Sequence, residues 1–232
     1  MRRAAVVILC GAAAAMLAVS GLGGPSSPVA WTVETLKTVR GGDAAKGKKL
    51  HEDCAQCHGD AGNTDIPDVP DLGGQDPLYL YKQILDYKAG SRANSIMNES
   101  VKALSEKDAA DLAAFYAAQK PFHAASPQRA SSAAAIRLAT IGDGVRLIPA
   151  CDSCHFDRGS KNPGFYALPV LQDQKFQDIT VQITAFRSGE RANDVYRVMR
   201  SISKALTDDE IAALAAYYSG TLAKPEPPPK KP

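Results

Sequence analysis

The chain has 232 residues, 45% of them hydrophobic, and a formal net charge of +2. That length allows one large domain or two small ones. Residues 31–125 carry a net charge of −3 and residues 126–232 a net charge of +3, so neither half is basic enough to indicate nucleic-acid binding. This uneven distribution predicts a molecular dipole that can orient docking to partner proteins.

The N-terminus has the pattern of an export signal. Arg2 and Arg3 precede an uncharged apolar run over residues 4–19, and small residues and prolines follow. The pattern predicts a signal peptide within residues 1–30, cleaved either after Ser20 or near the end of that range. Because the apolar run is close to the minimum length of a membrane span, retention as an anchor is the alternative.

A five-residue motif occurs twice, as Cys-Ala-Gln-Cys-His at residues 54–58 and as Cys-Asp-Ser-Cys-His at residues 151–155. Cys-x-x-Cys-His is the attachment signature of a c-type haem. Its spacing lets one short loop present both thiols to one edge of the porphyrin and place the imidazole under the iron. We therefore expect two covalently bound haem c groups. The residues predicted to hold them are the haem-linked Cys54, Cys57, Cys151 and Cys154 and the iron ligands His58 and His155.

The chain also contains an internal repeat. Residues 83–92 match residues 182–191, and residues 103–117 match residues 205–219. Such self-similarity indicates two copies of one domain type. The domains are predicted at residues 31–121 and 133–222, with a linker at 122–132 and a proline-rich, disordered tail at 223–232.

Each repeat predicts the same order of elements, and the fold class is all-α. A short helix leads into the haem motif, an amphipathic helix ends at a glycine, a loop carries a methionine, and a final helix starts at a capping box. The expected helices are 43–53, 77–89 and one starting at Ser105 in the first repeat, and 134–150, 176–188 and one starting at Thr207 in the second.

Two methionines follow the predicted signal, Met97 and Met199. They lie 39 residues after His58 and 44 residues after His155, each at the same position relative to the final helix of its repeat. A thioether is a soft ligand that raises the potential of haem iron. Because the two positions match, we predict that both methionines are axial iron ligands rather than core filler.

Two further pairs of aligned residues are candidates for the haem surroundings. Pro70 and Pro169 lie where a backbone carbonyl can accept the second ring proton of the motif histidine, although a simple turn proline is the alternative. Arg92 and Arg191 can pair with haem propionates, with a solvated loop charge as the alternative.

This pattern resembles the di-haem class I cytochromes c of the c4 type over nearly all of the predicted mature chain. The resemblance rests on both haem motifs, Gly73-Gly74-Gln75, the Gly-x-Arg of each repeat, both methionines and the capping-box helices. It implies two all-α domains related by a pseudo-twofold axis, with haems close enough for fast electron transfer. It also implies a periplasmic, often membrane-associated carrier. The cytochrome subunit of sulfide-oxidising flavocytochromes c is similar in plan.

The second repeat departs from this pattern. The counterpart of Gln75 is Gln172 or, in strict register, Gln174, and three extra residues separate Arg191 from Met199. Gln75 and Gln174 are expected as polar contacts near the haem edge.

Three functions are compatible with these features. The first is an electron-transfer protein of a respiratory chain that relays electrons between a quinol-oxidising complex and a terminal oxidase or reductase. The second is the electron-accepting subunit of a larger dehydrogenase, such as a sulfide-oxidising flavocytochrome. The third, a catalytic di-haem enzyme, ranks last because it needs an open iron site or a cysteine ligand. We therefore predict that the protein is not an enzyme.

Overall fold

A computed structural model describes residues 26–121, 132–155 and 167–220. We call the first range the N-terminal half and the other two together the C-terminal half. Most of the predicted signal and linker, and all of the predicted tail, lie outside the described residues. Within the described ranges, no helix is long and apolar enough to cross a membrane.

Both halves are built from short helices. The N-terminal half contains α1 (Val33–Arg40), α2 (Ala44–Leu50), α3 (Glu52–His58), α4 (Pro77–Lys88), α5 (Ser95–Ser100) and α6 (Glu106–Ala117). The C-terminal half contains α7 (Ala133–Thr140), β1 (Gly142–Asp143), β2 (Ile148–Pro149), α8 (Phe176–Ser188), α9 (Val198–Ala205) and α10 (Asp208–Ser219). Two 3-10 turns lie at Cys151–Ser153 and Val195–Arg197.

The final helix of each half starts at the predicted capping box. The Ser105 hydroxyl accepts a hydrogen bond from the backbone N–H of Asp108, whose carboxylate accepts one from the N–H of Ser105. Thr207 and Glu210 make the same pair of bonds at α10. Each box satisfies two N–H groups that a helix start leaves unpaired, which confirms the predicted starts of α6 and α10.

The N-terminal half closes where α2 crosses α6. A Cβ atom added to Gly47 would overlap the carbonyl oxygen of Asp111 and would lie 2.7 Å from the Cβ of Phe115. Ala110 and Ala113 of α6 are fully buried beside this crossing. Small side chains on both helices therefore let the two backbones approach closely.

The predicted helix over residues 134–150 is wrong beyond Thr140. Residues 142–149 instead form an antiparallel hairpin in which Gly142 pairs with Pro149. Gly142 has a φ of 85°, which favours glycine, and Pro149 lacks the N–H that a continuing helix would need. Arg146 ties the hairpin to α10 through two hydrogen bonds to Glu210, at 2.7 and 2.9 Å.

The repeated helices α4 and α8 bring the two halves together. Arg92 donates to Gln83 of its own half at 2.7 Å and to Gln182 of the other half at 2.9 Å. Arg191 makes the reciprocal contacts, to Gln182 at 2.6 Å and to Gln83 at 3.1 Å. An exchange of equivalent contacts is what an approximate twofold axis between the halves produces.

Candidate haem sites

The two motif histidines are held in the same way. His58 ends α3 and His155 follows the Cys151–Ser153 turn, and both rings are buried. The Nδ1 atom of His58 lies 2.9 Å from the carbonyl oxygen of Pro70, and that of His155 lies 2.9 Å from the carbonyl oxygen of Pro169. The predicted carbonyl acceptor is therefore present in both halves.

This hydrogen bond decides which ring nitrogen can bind a metal. A carbonyl accepts only, so Nδ1 of each histidine carries the proton and Nε2 has a free lone pair. Burial lowers the pKa of both His58 and His155, and this favours the neutral imidazole that a metal requires.

The four motif cysteines lie within the described residues, and none of them is in a disulfide there. Burial raises the pKa of the Cys54 thiol and raises that of Cys151 to about 11. A redox-active or metal-binding pair would instead need a thiolate stabilised by positive neighbours. The raised pKa values of Cys54 and Cys151 disfavour such a thiolate, whereas the Cys-x-x-Cys-His spacing fits the covalent attachment of a c-type haem, in which the thiols become thioethers.

The two methionines lie on short helices and not in the loops that the sequence predicted. Met97 is on α5, which packs against α4, and Met199 is on α9, which packs against α8. Both are half-buried. The predicted loop is helical because Asn94 caps α5, its side chain accepting a hydrogen bond from the N–H of Met97 at 3.0 Å.

The residue after each methionine anchors its segment. In the N-terminal half, Asn98 donates to the carbonyl oxygens of Tyr87 and Arg92, the latter at 3.0 Å. In the C-terminal half, the Nε of Arg200 donates to a carboxylate oxygen of Asp194 at 2.6 Å. The segment of Met97 is thus fixed by amide hydrogen bonds to backbone carbonyls, whereas the longer segment of Met199 is fixed by an ion pair.

Arg92 and Arg191 are not solvated loop charges, so that alternative is wrong. Both are buried between the halves, where they lie on aromatic rings as well as donating to the interface glutamines. The Arg92 guanidinium lies 4.6 Å from the centre of the Tyr87 ring, and that of Arg191 lies 4.4 Å from the centre of the Phe186 ring. Burial, and then the charge of Arg92, lower the pKa of Arg191.

The charges around the two arginines do not balance within the part of the chain that the structure describes. Lys82 is also buried there, and its Nζ contacts Asp86 Oδ2 at 2.5 Å. Asp178 is the other nearby carboxylate, and burial raises its pKa, which favours its neutral form. Among the described residues, Arg92, Arg191 and Lys82 therefore face at most two carboxylates, so an additional anion would be stabilised in this interface.

Gln75 and Gln174 make contacts that the sequence did not reveal. The side-chain amide of Gln174 bonds both backbone groups of Asp71, accepting from its N–H at 2.8 Å and donating to its carbonyl oxygen at 2.9 Å. Gln75 bonds Val170 in the same way, at 2.7 and 3.0 Å. Each glutamine therefore reaches across the interface, and this reciprocity shows that Gln174 and not Gln172 is the counterpart of Gln75.

Some interface residues had no signal of function in the sequence. Lys175 contacts Asp71 Oδ1 at 3.0 Å and donates to the carbonyl oxygen of Val69 at 2.6 Å, all across the interface. The i, i+4 spacing of Lys82 and Asp86 indicates a helical pair, but an exposed pair is the ordinary reading of that spacing. In the structure Lys82 is buried because its Nζ reaches the other half, where it donates to the carbonyl oxygen of Asn193 at 2.7 Å.

The chain contains two helical repeats, and in each one the histidine of a Cys-x-x-Cys-His motif is buried and bonded to a backbone carbonyl. These features define a c-type cytochrome with two haem c groups. The sequence matches the Cytochrome c family over residues 44–118. Cytochrome c4 of Azotobacter vinelandii is 38% identical over 192 residues, which cover 77% of this chain and 89% of the relative. The thiosulfate dehydrogenase electron acceptor of Stutzerimonas stutzeri is 35% identical over 189 residues, covering 76% and 86%.

Comparison with solved structures indicates the same family. The crystal structure of reduced cytochrome c4 from Pseudomonas stutzeri superposes with a TM-score of 0.69 at 32% identity, covering 77% of this chain and 98% of that one. The chain therefore belongs to the cytochrome c4 family. It is a di-haem electron-transfer protein and not an enzyme, and its predicted all-α, two-domain class I fold is confirmed.

Proposed function

We propose that this protein relays single electrons in the periplasm through one haem c in each of two domains, residues 31–121 and 133–222. The observation that carries the proposal is the matched histidine–carbonyl bond, 2.9 Å in both halves, which leaves one ring nitrogen per half for iron. When bound, each haem supplies a one-electron ferric–ferrous couple. Cys54 and Cys57 would attach one haem, and Cys151 and Cys154 the other.

We further propose that His58 and Met97 would hold one haem iron, and that His155 and Met199 would hold the other. The carbonyl bonds hold the imidazoles, while Asn98 and Arg200 hold the methionine segments. Rigid ligands on both faces favour electron transfer, because the iron then changes its surroundings little when it changes oxidation state. Filled coordination also leaves no open position for a substrate.

We propose the interface around Arg92 and Arg191 as the place for the haem propionates. Arg92 makes two hydrogen bonds to described residues, and a guanidinium has five N–H groups, so donors remain for an anion. The excess positive charge of Arg92, Arg191 and Lys82 favours carboxylates there. Propionates in this position would bring the edges of the two haems towards each other across α4 and α8.

The intact mass of the protein purified from a periplasmic fraction tests haem attachment. We expect two haem increments in the parent and one when Cys54 and Cys57 are both replaced by serine. A single increment in the parent would overturn the two-site proposal. The ferric visible and EPR spectra then test the ligands, since a high-spin or bis-histidine signal at either iron would contradict its histidine–methionine pair.

The same mass locates signal cleavage. The hydroxyl of Ser27 donates to Asp86 at 2.5 Å, and Val29 packs against the N-terminal core. Cleavage near residue 30 would remove both contacts, so of the two predicted sites we propose the one after Ser20. A mature N-terminus beyond Val29 would contradict this choice.

For the partners, we propose a quinol-oxidising complex as donor and a terminal oxidase or reductase as acceptor, with peripheral attachment to the membrane. A relative named as a thiosulfate dehydrogenase electron acceptor supports a second candidate, in which the donor is a sulfur-compound dehydrogenase. Stopped-flow reduction by each purified donor separates the two. The specific donor is the one whose reduction rate saturates with donor concentration and falls as ionic strength rises. Salt screens the dipole and so weakens the docking that the dipole steers.

A further inference from the structure

A chain of hydrogen bonds links each motif histidine to the other half of the protein. The carbonyl of Pro70 and the N–H of Asp71 belong to one peptide group. His58 Nδ1 donates to that carbonyl at 2.9 Å, and Gln174 Oε1 accepts from that N–H at 2.8 Å. One peptide group therefore separates the ring of His58 from a side chain of the C-terminal half.

The reciprocal chain runs in the opposite direction. His155 Nδ1 donates to the carbonyl of Pro169 at 2.9 Å, and the N–H of the same peptide group, that of Val170, donates to Gln75 Oε1 at 2.7 Å. Gln75 and Gln174 are both buried, so water does not compete for these bonds.

The orientation of each amide is fixed from both sides. Gln75 Oε1 also accepts from the N–H of Asp76 at 2.9 Å, and Gln174 Oε1 accepts from that of Lys175 at 3.3 Å. These backbone donors require the oxygen, and not the nitrogen, at that position. The amide nitrogen donates to the carbonyl oxygen of Asp71 or Val170, which belongs to the next peptide group, so each glutamine is fixed by bonds to two successive peptide groups.

A peptide group that donates through its N–H becomes a stronger acceptor at its carbonyl oxygen, by about 10–30% per bond in condensed-phase estimates. A stronger acceptor draws the Nδ1 proton of the histidine, which makes the imidazole a more electron-donating iron ligand. Greater donation favours ferric iron and lowers the reduction potential.

We propose that Gln174 is a positioning residue for His58 and that Gln75 is one for His155, so that each half sets the potential of the haem in the other half. This inference rests on the proposed iron ligation by the two histidines. Lys175 contacts the carboxylate of Asp71, which takes part in the Gln174 bridge. The two bridges therefore have equivalent amides but different surroundings.

The test is a pair of reciprocal variants of the full holoprotein, Gln174→Met and Gln75→Met. Each haem is followed separately in a redox titration, with its resonances assigned through Met97 and Met199. Gln174→Met should shift the ferric–ferrous equilibrium of the N-terminal haem towards ferrous iron by roughly fivefold, the size of one net hydrogen bond. Gln75→Met should do the same at the C-terminal haem, and in both cases fivefold is the upper bound, because the lost bond only polarises the carbonyl acceptor of the histidine.

The second measurement is the solvent exchange of the histidine ring protons in ¹⁵N-labelled protein. The Nδ1 proton of His58 should exchange several times faster in Gln174→Met, while that of His155 is unchanged. The conservative variant Gln174→Glu keeps an oxygen opposite the N–H of Asp71. It should therefore hold the potential of the N-terminal haem at or below that of the parent.

Two failures are distinguishable. If the parent lacks histidine–methionine ligation at either iron, the proposed function fails. If the parent has both ligand pairs, two results would overturn the crossed assignment. Either each variant shifts the haem of the half that contains the substitution, or each variant shifts both haems equally, as a merely loosened interface would.

Discussion

Lys82→Met tests whether the two halves are held by the buried ion pair between Lys82 and Asp86. Both side chains are nearly inaccessible, at 4% and 0% exposure. The carboxylate of Asp86 also accepts hydrogen bonds from Ser27 at 2.5 Å, Ser91 at 3.2 Å and Asn193 at 2.6 Å. The substitution removes the cation, leaves these three donors in place, and keeps a side chain of similar length.

Breaking a buried pair by removing one partner costs about 3–5 kcal/mol. Because three donors remain on Asp86, we expect about 3 kcal/mol, the low end of that range. The lost bond to the carbonyl oxygen of Asn193 should also loosen the segment that leads to Met199. Urea unfolding of the holoprotein, followed by far-ultraviolet circular dichroism, measures the change in the free energy of unfolding.

The repeat supplies a matched control. Val181 occupies the position of Lys82 in the second repeat and is 53% exposed, so Val181→Met should change the free energy of unfolding by less than about 0.5 kcal/mol. Replacing Asp86 by asparagine together with Lys82→Met should recover part of the loss, since no unpaired charge remains and the side-chain oxygen can still accept from these three donors. A loss below about 1 kcal/mol for Lys82→Met alone would refute this account of the interface.

Three further variants test other parts of the structure. Met97→Ala, or the same change at Met199, should abolish methionine–iron ligation at that site and lower its potential, and an unchanged spectrum and potential would show that the ligand is wrongly assigned. Gly47→Ala should destabilise the protein by about 1–3 kcal/mol in urea, since its Cβ has no room against α6; full retention of stability would contradict that crossing. Arg146→Met should lower the free energy of unfolding at neutral pH, because the ion pairs of Arg146 with Asp143 and Glu210 are lost. Arg146 is the main cause that lowers the pKa of Glu210 below its ordinary value of 4.5, so this cost should be present above that pH and disappear as the pH falls through the lowered pKa. A cost that stays constant with pH would contradict the pairing.

The features that the sequence determined are local ones. Two Cys-x-x-Cys-His motifs predict haem attachment because five consecutive residues provide both thiols and the imidazole. The capping boxes at Ser105 and Thr207 fix helix starts through bonds spanning three residues, and Pro70 and Pro169 follow their histidines by only 12 and 14 residues. Aligning the two repeats also showed which residues are equivalent, since an alignment marks equivalent positions without any knowledge of their contacts.

The tertiary structure alone decided what lies between the halves. Lys82 and Asp86 read as an exposed helical pair until the other half covers them. The sequence predicts Gln174 as a polar contact near the haem edge, but it does not indicate the bond to Asp71, 103 residues away. Nothing near these residues in the chain indicates their partners, because burial and hydrogen bonding at an interface depend on how two separately formed domains pack. Local bonding thus determined each haem site, whereas the contacts that join one site to the other exist only in the assembled fold.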